Sequence, residues 1–112
     1  MVFTTQDFIS KNPNTLVALL KGLARGEDFV QSNRVEAVKI LSRKLSIPEV
    51  ELGEMMGRSR YSMLMDKALL DQLDSLADSM VAMKEIPKAP RALTYVVLHL
   101  MQQARPAWVT AK

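Results

Sequence analysis

Asp66-Lys67-Ala68-Leu69-Leu70-Asp71-Gln72-Leu73-Asp74-Ser75-Leu76-Ala77-Asp78-Ser79-Met80-Val81-Ala82-Met83 is the stretch that decides the fold. Leu69, Leu73, Leu76, Met80 and Met83 recur at alternating spacings of four and three. That period is helical, and it lays an apolar stripe along one side of a helix. Leu70, Ala77 and Val81 flank the stripe. Asp71, Asp74, Ser75 and Asp78 fill the opposite side and read as its solvated face. Asp66 stands where a side-chain oxygen can accept from the free N–H groups of the first turn.

The same logic extends towards the N-terminus. Val2-Phe3 is a short apolar start that suits the end of a strand. Thr4 or Thr5 can cap a short helix over Gln6–Ser10, and Thr4 and Asp7 have capping-box spacing. Asn12-Pro13 begins a new helix, because proline at the first helical position loses no hydrogen bond. Leu16, Leu20 and Leu23 carry its stripe, widened by Val17, Leu19 and Ala24 and extended by Phe29 and Val30. Gly22 and Gly26 weaken that helix, which predicts either close helix packing or a kink near Gly26. Asn33 with Glu36, and Ser46 with Glu49, have the spacing of two further capping pairs. Between them Val35, Val38, Ile40, Leu41 and Leu45 form the expected buried side of a helix ending near Leu45. The helix capped by Ser46, with Pro48 inside its first turn, is expected to reach Met56 and to close on a left-handed Gly57.

Towards the C-terminus, Arg58–Met65 admits a loop, a turn or a short helix. Pro87 and Pro90 impose an extended linker over Glu85–Arg91. Residues 92–104 have strand propensity at Tyr95-Val96-Val97-Leu98, but the whole segment is read as helix, ended by Pro106. Trp108 is expected to anchor the tail, Ala107–Lys112, on apolar surface. The sum is an all-α chain of about six helices, treated as a single helical unit over 1–112.

Composition narrows the chemistry. Apolar residues make up 48% of the 112, which argues against disorder. The eight methionines suit gaps between helices. Fifteen basic and twelve acidic side chains give a net charge of +3, with no block of like charge, so a polyanionic partner is not indicated. With no Cys and with His99 as the one histidine, neither thiolate chemistry nor a metal centre is indicated, and no cofactor is implied. No Gly-rich phosphate loop is present, and His99 has no Ser, Cys or carboxylate partner nearby in sequence. The chain is read as a non-enzyme, with no catalytic residue. The opening Met1–Asp7 has no basic start, apolar run and cleavage site, so as written the chain would stay in the cytoplasm.

Two rival readings remain. Val50-Glu51-Leu52-Gly53-Glu54-Met55-Met56-Gly57-Arg58-Ser59-Arg60 has the look of a helix-turn-helix within 46–70. Gly53 would stand at the helix crossing, Gly57 at the turn, and Arg58, Ser59 and Arg60 would open the recognition helix. The continuation Tyr61-Ser62-Met63-Leu64-Met65-Asp66 is apolar and then acidic, which suits neither base edges nor phosphates, so nucleic acid is disfavoured. The other rival is a free-standing helical interaction module.

Three stretches carry a family resemblance. They are Thr5-Gln6-Asp7-Phe8-Ile9-Ser10-Lys11-Asn12-Pro13; Tyr61-Ser62-Met63-Leu64-Met65-Asp66-Lys67-Ala68-Leu69-Leu70-Asp71-Gln72-Leu73, followed by Ala77-Asp78 and by Lys84-Glu85-Ile86-Pro87-Lys88-Ala89-Pro90; and Gln103-Ala104-Arg105-Pro106-Ala107-Trp108-Val109-Thr110. In order and spacing they resemble the C-terminal helical portion of periplasmic solute-binding proteins of ABC importers of the nitrate, sulfonate and taurine type. The resemblance implies a two-lobed α/β parent in the periplasm, with a small anionic solute and an ABC permease as partners. It also implies that this chain has the helical support and not the ligand-enclosing lobes. No ligand-binding residue carries over. Arg58, Arg60 and Tyr61 are the one polar cluster to weigh as a ligand site, beside the plainer reading of a solvated turn with a packed tyrosine. Apolar stripes left without a sheet to cover them predict self-association.

Overall fold

The computed structural model describes residues 2–111, so Met1 and Lys112, at the ends of the segments discussed above, lie outside it. The described residues are all-α: α1 (Gln6–Lys11), α2 (Pro13–Ser32), α3 (Arg34–Leu45), α4 (Glu49–Gly57), α5 (Lys67–Ala82) and α6 (Leu98–Ala104), with single 3-10 turns at Ala92–Thr94 and Pro106–Trp108. None of them forms a strand, and Val2-Phe3 has no regular structure. Among the described residues no helix is long and apolar enough to cross a membrane. Residue contacts gather into two compact units. One contains the residues up to Leu20 together with those from Leu64 onward; the other is Lys21–Met63.

In the first unit the start signals act locally. Thr5 Oγ1 accepts from Phe8 N at 3.2 Å and opens α1. Pro13 is the first residue of α2, whose Leu16 and Leu20 are buried. Asp66 Oδ1 accepts from Leu69 N at 2.8 Å and opens α5, as the sequence predicts. The buried side of α5 is turned from the expected stripe. Leu70 and Ala77 are its buried residues, while Leu76 and Met83 are exposed. The cause is the partner that covers it, the narrow turn at Ala92–Thr94, whose Ala92 is buried. A thin partner covers a thin strip of helix.

The end of α5 is made before either proline. Lys84 takes a left-handed conformation, φ 61°. Its N–H donates to Val81 O at 2.9 Å, and that of Glu85 to Met80 O at 2.9 Å. These two bonds form a Schellman cap, in which glycine is the usual residue because a Cβ is crowded at positive φ. Residues 85–88 then bend rather than extend. The 92–104 segment is helical only in part: a 3-10 turn, three irregular residues, then α6 with Leu100 and Met101 buried. Trp108 anchors the tail, at 3% exposure, against α6. The Arg105 guanidinium carbon lies 5.3 Å from the Trp108 ring centroid, within cation–π range. Met65 N donates to Trp108 O at 2.7 Å, and Thr110 N donates back to Met65 O at 3.0 Å, making an isolated parallel bridge between Met65 and Val109.

In the second unit α3 packs on α4. Ala37, Val38, Leu52 and Met56 form the core, with Val30, Leu41 and Ile47 against it. Met56 is fully buried. The expected side of α3 is thereby corrected: Val35, Ile40 and Leu45 are exposed, and Ala37 is in the core. Ala37 shares the core with Val38, and Leu41 packs against it, so the side that α4 covers is rotated from the expected one: the facing helix chooses which edge of the apolar stripe is buried. Neither expected capping pair forms as predicted. Asn33 makes no side-chain cap; its amide donates to Ser32 Oγ at 2.9 Å. Ser46 is the left-handed end of α3, φ 56°, and Pro48 rather than Ser46 precedes α4. Ser42 Oγ secures the connection by donating to Ile47 O at 2.6 Å. Gly57 is the last helical residue of α4, and no glycine has positive φ.

Gly22 and Gly26 interrupt nothing, because α2 is continuous from Pro13 to Ser32. A Cβ added at either one meets nothing within 4 Å, so close packing does not explain them. Gly22→Ala and Gly26→Ala should each stabilise the chain by roughly 0.5–1 kcal/mol. Urea denaturation will check this, and a fall in midpoint would show that something packs there. Lys84→Gly should likewise stabilise the chain, by about 0.5–1 kcal/mol, and so raise the midpoint, by relieving the left-handed residue.

Candidate functional site

The polar cluster Arg58, Arg60 and Tyr61 lies on the segment that leaves α4. Arg58 is the C-cap of that helix, and its N–H reaches the carbonyls of its last turn. Ser59 Oγ donates to Met55 O at 3.3 Å. The segment is held from α2 by two side chains that sequence reasoning passed over. Gln31 Nε2 donates to Tyr61 O at 3.1 Å and to Glu27 Oε1 at 3.2 Å, and Glu27 Oε2 accepts from Met63 N at 3.2 Å. The available signal was a polar pair four residues apart on an apolar helix. These contacts fix the backbone and leave the Arg58, Arg60 and Tyr61 side chains exposed. The structure does not gather them around a cavity.

The recognition helix expected to open at Arg58 does not form. Residues 59–64 are irregular, and the next helix starts at Lys67. Gly53 is no crossing point either, since a Cβ there would meet nothing within 4 Å.

The acidic residues of α5 are not simply a solvated face. Asp74 Oδ1 accepts from Ala92 N at 2.7 Å. Asp78 Oδ2 pairs with Arg91 Nη1 at 3.1 Å. Thr94 Oγ1 donates to Arg91 O at 2.6 Å and tightens the turn they hold. The Asp78 hydrogen bond, and then its charge, raise the Arg91 guanidinium further above its already high titration range. Both side chains are exposed, so the pair fixes geometry more than it adds stability. Asp71 pairs with Lys67 at 2.6 Å. His99 is exposed on α6. Among the described residues no group of three or more His, Asp or Glu side chains is arranged to hold a metal ion.

The most distinctive surface lies between α3 and α4. Arg34, Val35, Val38, Glu49, Val50 and Gly53 line a shallow open depression. Val35 is 73% exposed and Val50 78%. Sequence reasoning assigned Val35 to the core and named Val50 only as the first residue of the helix-turn-helix stretch. The signal was a β-branched residue on each helix off the packed face, where it gains nothing for the helix itself.

Removing the Asp74 carboxylate should loosen the 91–94 turn. Asp74→Ala leaves the N–H of buried Ala92 without its acceptor, at a cost of about 1–3 kcal/mol. Asp74→Asn keeps an acceptor and should lose less; equal losses in a thermal melt would remove the assignment.

No known family, no curated protein and no solved structure matches the chain.

Proposed function

We propose that this chain is the C-terminal helical portion of the solute-binding component of an ABC importer of the nitrate, sulfonate and taurine type. On this reading its task is support. The α/β lobes capture a small anionic solute and deliver it to the permease, and the helices cover part of the first lobe. The site of action is then the periplasm. No catalytic role and no cofactor enter the reading, and Arg58, Arg60 and Tyr61 are given no part in capture.

The observation that carries it is the ordered set of three phrases, taken with what those residues do. The first phrase opens with the α1 cap, Thr5, and ends at the start of α2. The second contains Met65 and the α5 cap, and its continuation begins at left-handed Lys84. The third contains Arg105 and Trp108. Met65 joins the second phrase to the third through its bonds with Trp108 and Thr110. Several residues within the phrases thus end helices or fasten the tail. A second support is apolar surface. Phe3, Leu76, Met83 and Leu93 are all well exposed, as expected of helices made to lie on a larger body.

Sequencing the DNA that adjoins the coding region tests the parentage. A contiguous frame encoding two α/β lobes is expected; an intact promoter and ribosome-binding site directly before codon 1 would overturn it. Calorimetric titration of the chain alone with nitrate, taurine or an alkanesulfonate should show no saturable heat. Saturable binding would contradict the assignment of capture to the lobes.

A further inference from the structure

We propose that the depression between α3 and α4 is a two-fold self-association surface, occupied by the same surface of a second copy of this chain. The proposal rests on this helix pair alone and is independent of the importer reading.

Three observations carry it. The first is where the apolar residues stand. The core of the pair is complete without Val35 and Val50, which nevertheless line the same depression, largely exposed. Valine is a poorer helix former than the polar residues that suit an exposed site, so two of them there weaken both helices and leave apolar surface in water. Burial against another molecule offsets both effects.

The second is room. Gly53 lines the same depression, and a Cβ there would meet nothing within 4 Å. A valine from outside can therefore approach the α4 backbone. The third is charge. Arg34 and Glu49 line the depression with one charge of each sign, and neither has an ion-pair partner among the described residues. A strongly anionic or cationic partner would leave one of them opposed by like charge. A two-fold pairing whose axis passes between the two charges does not, because it sets Arg34 against the partner's Glu49 and Glu49 against the partner's Arg34. One complementary contact is thereby made twice, as an isologous interface requires. The charges select partner and register, and burial of the valines supplies the attraction.

The test is sedimentation equilibrium over a concentration series on the whole chain. The expected result is a monomer–dimer equilibrium that saturates at the dimer. Arg34→Glu and Glu49→Arg should each weaken it by about tenfold or more, since each turns two attractive contacts repulsive. The double variant, Arg34→Glu with Glu49→Arg, should return dimerisation to within about threefold of the original. Val35→Ser and Val50→Ser should lower it without loss of helical circular dichroism, because neither side chain is in the core. A monomer at every concentration, single reversals without effect, failure of the double variant to restore pairing, or growth beyond the dimer would each overturn the proposal. The circular dichroism of each variant separates lost pairing from lost folding, and the valine pair gives an answer even if a charge variant fails to fold.

Discussion

Short helices do not persist alone in water, because nucleation costs more than a few turns return. Half of the six helices among the described residues are short: α1 has six residues, α4 nine and α6 seven. Their stability depends on what each one packs against. In this chain the packing partners are themselves small. α5 leans on a three-residue turn, α6 on another, and α3 and α4 on one another. That constraint explains the narrow buried strips, the use of Ala37, Ala77 and Ala92 as core residues, and the large share of apolar side chains left outside.

Polar contacts do much of the positioning that a larger core would do. Asp74 and Asp78 hold the 91–94 turn against α5, and Glu27 and Gln31 hold the segment after α4. The neutral bond from Gln31 and the exposed Asp78–Arg91 pair contribute little each to net stability, and the carboxylate bonds of Asp74 and Glu27 somewhat more. Their effect is to choose one arrangement among several of similar burial. The bond to Ala92 is the one with most at stake, since the alternative is an unpaired N–H on a buried residue.

Exposed apolar side chains are ordinary when scattered. They carry meaning here where two of them share a depression with a glycine and with unpaired charges of both signs. The importer reading and the self-association surface draw on different parts of the chain. The first rests on Thr5, Met65, Asp66, Lys84 and Trp108, the second on Arg34, Val35, Glu49, Val50 and Gly53.

The sequence by itself determined what is local. Asp66 and Thr5 cap their helices because the acceptor is three residues from its donor, and Pro13 starts α2 because its own ring sets φ. The all-α class follows from the apolar period, and the burial of Trp108 from the size of its ring. The tertiary structure decided what depends on the facing surface. Periodicity places an apolar stripe to within a residue or two, but the partner chooses which edge of it is covered. So Val35 and Leu76 were read as core and are outside, while Ala37 lies inside. Left-handed Ser46 and Lys84 were equally illegible, because their side chains do not favour that conformation and only the cap geometry imposes it. The Asp74 and Asp78 contacts span eighteen and thirteen residues, and no local rule relates side chains across that distance until the chain has turned back. The depression between α3 and α4 belongs to the same class: its residues come from two helices, and they become one surface only when those helices pack.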